Sequence, residues 1–118
     1  MKLLIDADVL LRAALFPGGE AEAALQKALA LPFRPCVRET AFDELRRRIG
    51  ERFPAAAEAA ETYLSALAET VTVLPEAEGT DSPLPEDAVN LFLTGDGDLL
   101  ALCQKEPRIL SAAEFLQF

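Results

Sequence analysis

The chain has 118 residues, 51% hydrophobic and 26% charged, long enough for one domain with a single core and too apolar for a disordered segment. Its formal net charge of −9 counts against tight nonspecific nucleic-acid binding, which rests on lysine and arginine neutralising phosphates. Histidine is absent, so Ser-His-Asp triads, histidine general bases and His-ligated zinc are excluded.

Cys36 and Cys103 are too few and too far apart for a disulfide framework and read as small core residues. No apolar stretch approaches a membrane span, and Lys2 leads into a short strand without a signal-peptide layout. One cytoplasmic domain over residues 1–118 is expected.

In chain order, residues 2–6 read as a short apolar strand ending at Asp6. Asp8 precedes Val9, which starts a helix of about two turns ended by Pro17-Gly18-Gly19. A helix N-cap is the ordinary reading of Asp8. Asp6 has no such role available, and an acid directly after a buried strand points to function, because charge near the interior is costly without a partner.

Residues 20–31 read as a helix ended by Pro32, with Ala21, Leu25, Ala28 and Leu29 inward. Residues 33–37 form a second strand, which Pro35 makes short or places near an edge. Residues 39–49 are the next helix, with Ala41, Phe42, Leu45 and Ile49 inward. Glu44 lies about 60° from Ala41 around that helix, so it borders the apolar stripe. Two readings stay open: Glu44 leans over a sheet edge, or it pairs with Arg48 at i,i+4. Arg46, Arg47 and Arg48 form the dense basic run, either a solvated helix face or the contacts for a phosphate backbone.

From Pro54 a helix runs through Thr70, with Ala56, Ala60, Tyr63, Leu64 and Leu67 inward. Residues 71–74 are a third strand, and residues 75–86, rich in Pro, Glu, Gly and Ser, are a loop. A strand over 91–94, a helix from Leu99 to about Cys103, a brief strand over 108–110 and a closing helix follow. Ser111 and Glu114 have capping-box spacing, which marks the start of that last helix. Strands alternating with helices predict an α/β chain, a three-layer α/β/α arrangement around a short, mainly parallel sheet.

Chemistry concentrates at two strand-to-helix corners. Leu3-Leu4-Ile5 runs into Asp6-Ala7-Asp8, and Leu91-Phe92-Leu93 runs into Thr94-Gly95-Asp96-Gly97-Asp98. In a parallel sheet, ligands bind at such carboxyl ends. If the two strands are neighbours, these carboxylates converge, and mutual repulsion then calls for a hard divalent cation.

Leu4-Ile5-Asp6-Ala7-Asp8-Val9-Leu10, Asp43-Glu44-Leu45-Arg46, Leu93-Thr94-Gly95-Asp96-Gly97-Asp98-Leu99-Leu100 and Arg108-Ile109-Leu110-Ser111-Ala112-Ala113-Glu114-Phe115-Leu116 together resemble the PIN domain. That family comprises compact metal-dependent nucleases, many of them the toxin of VapC-type toxin–antitoxin pairs. The resemblance implies that Asp6, Glu44 and Asp96 hold Mg2+ or Mn2+ as the catalytic acids, with Asp98 helping and Asp8 just outside, where the family often has Asn. It also implies an RNA substrate, a 5′-phosphate product, an antitoxin partner and a homodimer, with no membrane involved.

The family's further acid starts a longer helix before the Thr-Gly-Asp strand, and here Pro85-Glu86-Asp87-Ala88-Val89-Asn90 leads into that strand almost at once. If Asp87 stood at the catalytic edge, residues 88–90 would reach only about 10 Å. Retracing a four-residue strand takes about 13 Å. Reach favours Asp81 and motif matching favours Asp87.

Two other functions compete with the ribonuclease. A noncatalytic PIN-like module working through protein contacts would suit the shortened segment and the acidic charge. A haloacid-dehalogenase-type phosphatase shares the strand followed by Asp-x-Asp, but the chain lacks its Thr/Ser motif and a placed lysine, since only Lys2, Lys27 and Lys105 exist.

Overall fold

Among the described residues, five short strands lie side by side in one parallel sheet, ordered β3-β2-β1-β4-β5. They are β1 (Lys2–Ile5), β2 (Arg34–Arg38), β3 (Thr72–Leu74), β4 (Leu91–Leu93) and β5 (Arg108–Leu110). The computed structural model describes residues 1–74, 89–102 and 108–118. The helices are α1 (Ala7–Leu15), α2 (Glu20–Ala28), α3 (Glu39–Arg52), α4 (Ala57–Thr70), α5 (Gly97–Leu100) and α6 (Ala112–Leu116). This is the α/β/α arrangement that the alternation of strands and helices predicts.

Alternation along β1 sends its side chains to two different cores. Leu3 and Ile5 join Leu10, Leu25, Leu45, Leu64 and Phe115 on the face covered by α1, α2, α3, α4 and α6. Leu4 joins Cys36, Phe92, Leu99 and Ile109 on the other face, where α5 lies. The chain steps from β1 outward through β2 to β3, and separately from β4 to β5 in the opposite direction. Right-handed crossovers therefore deliver helices to opposite faces. The direction reverses between β1 and β4, so the crevice of an open parallel sheet falls between their carboxyl ends.

Several boundaries differ from expectation for local reasons. Helix α1 begins at Ala7 rather than Val9, because Asp6, not Asp8, is its N-cap: Asp6 Oδ1 accepts the Ala7 N–H at 2.8 Å. Helix α2 stops at Ala28, short of the expected residue 31. Helix α3 continues past Ile49 to Arg52. Pro54 starts a separate 3₁₀ turn, Pro54–Ala56, before α4. Gly18 ends the α1 turn with φ +83°, a conformation that suits glycine.

Pro35 sits in an interior strand, not at an edge. It is tolerated because Arg34 donates its N–H to the Met1 carbonyl on the β1 side, which turns the Pro35 nitrogen toward β3. Strand β3 pairs only from Cys36 onward, so no ladder bond is asked of Pro35. The expected inward positions of α3, namely Ala41, Phe42, Leu45 and Ile49, are all buried. On α4, Ala60, Leu64 and Leu67 are buried and Tyr63 is half-buried, as is Ala56 in the 3₁₀ turn before it. The capping box of Ser111 and Glu114 forms as expected. The expected 75–86 loop, Asp81, Asp87 and Cys103 lie outside the described residues.

Candidate functional site

Asp6 leaves the central strand with its backbone N–H bound to the Leu93 carbonyl at 2.9 Å, so the ends of β1 and β4 are locked together. Its two carboxylate oxygens have separate partners. Oδ1 caps α1, and Oδ2 accepts the Thr94 hydroxyl at 2.7 Å. Thr94 is fully buried, and its Oγ1 also accepts the Asp96 N–H at 3.1 Å. Asp96 in turn caps α5, its Oδ1 taking the Asp98 N–H at 2.9 Å. One chain of hydrogen bonds therefore runs Asp6, Thr94, Asp96, Asp98 along the carboxyl edge of two adjacent strands.

Burial raises the Asp6 carboxyl above the usual carboxylate range. The Thr94 and Ala7 hydrogen bonds pull it back, and the neighbouring charges of Asp8 and Asp96 push it up again. A carboxyl so placed either takes up a proton or gains from a cation.

Glu44 approaches from α3 and lines, with Asp6, Arg38 and Thr40, a cleft of about 90 Å³. Both readings of Glu44 hold together: it borders the sheet edge, and Arg48 Nη2 donates to its Oε1 at 2.5 Å. The other nitrogen of that guanidinium, Nη1, donates to Asp8 Oδ1 at 3.2 Å. Asp8 is thus an ion-pair partner in the first turn of α1 and shares the single charge of Arg48 with Glu44.

Of the other basic-run residues, Arg46 binds Glu61 of α4 at 2.9 Å, and Arg47 lies 3.8 Å from Glu51 on its own helix. A larger cleft of about 250 Å³ opens beside Thr94 and Gly95 and is lined by Arg12, Phe16 and Leu100. Among the described residues, neither Arg12 nor Arg38 makes an ion pair.

Sequence reasoning placed Asp6, Asp8, Asp96 and Asp98 at one edge, and Asp6 and Glu44 line one cleft. It missed Thr94 as the residue that orients Asp6, although Thr94 stands in the glycine-rich corner. It also missed Arg12 and Arg38, for which isolated arginines in the sequence offer no signal.

Residues 2–93 match the family model of the PIN domain, which covers most of the chain and both Asp6 and Glu44. The chain belongs to the PIN domain family. No curated protein matches it. The match stops one residue before Thr94, so the Thr94-to-Asp98 corner of this PIN domain stands on its geometry.

PIN domains are nuclease-type folds, generally dependent on divalent metal. Here the donor chemistry fits a hard divalent cation, since the edge offers only oxygen ligands and Asp6 is burdened by neighbouring charge. Among the described residues, no three acids are grouped closely enough to hold an ion between them. Glu44 and Asp8 are instead held by Arg48. No described helix is long and apolar enough to cross a membrane.

Proposed function

We propose that this PIN domain is a metal-dependent endoribonuclease. The observation that carries the reading is Asp6: a carboxylate at the end of the central strand, raised by burial and by Asp8 and Asp96, and sharing a cleft with Glu44. Asp6, Glu44 and Asp96 would hold Mg2+ or Mn2+, with Asp98 and either Asp81 or Asp87 completing the set. When bound, the ion supplies positive charge for the attacked phosphate and makes water a competent nucleophile near neutral pH, which needs no histidine.

The chain's own residues supply the positioning. Thr94 fixes the orientation of Asp6 and holds the Asp96 backbone beside it. Arg38 and Arg12 flank the corner in two clefts and suit phosphate contacts, because neither is engaged by a described acid. Arg46 and Arg47 suit that role less, being paired with Glu61 and Glu51. Local arginines reconcile an acidic chain with a polyanionic substrate.

A toxin of the VapC type, with an antitoxin partner and a homodimeric state, is the narrower form of this reading and rests on family membership alone. A noncatalytic interaction module is the second reading, favoured by the hold of Arg48 on both Glu44 and Asp8. Among the described residues nothing favours the phosphatase. Lys27 Nζ is bound to the Phe115 carbonyl, and Lys2 starts β1 at the opposite end of the strand from Asp6.

Cleavage of a labelled RNA by the purified protein tests the reading. The expected result is cleavage that needs Mn2+, stops with EDTA and is lost in Asp6→Asn. Unchanged cleavage in that variant would remove Asp6 from the chemistry, and no cleavage by the wild type would favour the noncatalytic module.

A further inference from the structure

The basic run of α3 divides by direction. Arg46 reaches across to α4 and Arg47 stays on its own helix, whereas Arg48 turns inward and joins two acids from different elements. Its guanidinium binds Glu44 one turn earlier on α3 and Asp8 in the first turn of α1. It therefore spans from the Asp6–Glu44 cleft to the first turn of α1.

We propose that Arg48 is an internal counter-ion of the site, which holds Glu44 in the metal-free protein and competes with the divalent cation for it. The inference rests on the nuclease reading, because it takes Glu44 as a ligand.

The physical grounds are charge balance and exposure. Glu44 lines a cleft with Asp6 and shares the guanidinium with Asp8, so the single positive charge of Arg48 faces two carboxylates at the rim of that cleft. A guanidinium can serve two carboxylates at once through its forked N–H donors. The three side chains of the bridge are 36%, 45% and 40% exposed, so water reaches it and the pair is exchangeable, unlike a desolvated ion pair. While Arg48 Nη2 holds Glu44 Oε1, that oxygen is engaged. Glu44 would hold a divalent cation only on release from the guanidinium, which would keep its contact with Asp8. Arg48 acts through Glu44 and is a positioning residue, not a catalytic one.

Mn2+ titration calorimetry and thermal melting in EDTA test this on wild type, Arg48→Gln and the control Arg47→Gln. Exposed ion pairs of this kind are worth about 0.2–1 kcal/mol, so Arg48→Gln should bind Mn2+ about 1.4- to fivefold more tightly. Its metal-free melting temperature should fall, while Arg47→Gln leaves Mn2+ affinity unchanged. A folded Arg48→Gln that binds Mn2+ no more tightly than wild type overturns the assignment and leaves the nuclease reading standing. An equal gain in Arg47→Gln also overturns it, since the effect would then be general charge removal. Absence of Mn2+ binding in every protein overturns both. If Arg48→Gln does not fold, Arg48→Lys replaces it, because an ammonium lacks the fork that spans the two acids. Tighter Mn2+ binding than wild type then supports the proposal, and equal or weaker binding overturns it.

Discussion

The Thr94 hydroxyl donates to Asp6 Oδ2 at 2.7 Å, joining the ends of β1 and β4 through a fully buried side chain. The same oxygen accepts the Asp96 N–H, so one small residue orients two acids from distant parts of the chain. Thr94→Val keeps the shape but removes the donor to Asp6 and the acceptor for Asp96. Urea denaturation in EDTA should show a loss of about 1–3 kcal/mol, the usual consequence of leaving buried polar groups unpaired. Thr94→Ser, which retains the hydroxyl, should lose much less.

The raised Asp6 carboxyl makes metal-free stability depend on pH. Burial is the main cause, with Asp8 and Asp96 adding repulsion against the lowering effect of Thr94 and Ala7. Because the folded-state value lies above the unfolded one, the Asp6 contribution to stability is fully present below the unfolded value. It is lost as pH rises through the folded value. Melting curves of wild type and Asp6→Asn in EDTA should therefore diverge, the gap moving in the variant's favour from acid toward neutral pH. A gap that stays constant would mean that Asp6 titrates normally.

The closing helix is a stability element on the face away from α5. Phe115 is fully buried against Phe33, their ring centroids 5.0 Å apart, and the backbone carbonyl of Phe115 holds Lys27 Nζ. Phe115→Ala should cost about 3–5 kcal/mol in denaturant unfolding.

Ser111→Ala removes the hydroxyl that accepts the Glu114 N–H and should cost about 1 kcal/mol by the same measurement. Neither residue belongs to the Asp6–Asp96 hydrogen-bond chain, so Mn2+ affinity should be unaffected in the folded Ser111→Ala variant.

Much of this arrangement is legible from local pattern. The apolar runs that end in Asp6 and in Thr94-Gly95-Asp96, the stripe Ala41, Phe42, Leu45, Ile49 and the Ser111/Glu114 spacing each encode an element within a few residues. What escapes the sequence depends on chain segments that meet only on folding. On paper Asp8 reads as the cap and Asp6 does not, but the strand end decides for Asp6, whose N–H is tied to Leu93 while its Oδ1 is aimed at Ala7. Pro35 reads as an edge residue until the late start of β3 frees its nitrogen from pairing. The second partner of Arg48, Asp8, is 40 residues away in sequence, so spacing on α3 suggests only Glu44. Thr94 resembles any strand-end threonine until the Asp6 carboxylate and the Asp96 N–H are found on its hydroxyl.

Mn2+ titration into wild type, Asp6→Asn and Asp96→Asn, followed by calorimetry with circular dichroism to confirm folding, asks most directly whether these acids share an ion. A saturable binding heat in wild type that disappears or weakens strongly in both folded variants is expected. Equal Mn2+ binding by all three, or none by wild type, would contradict a divalent-metal site at the β1–β4 edge.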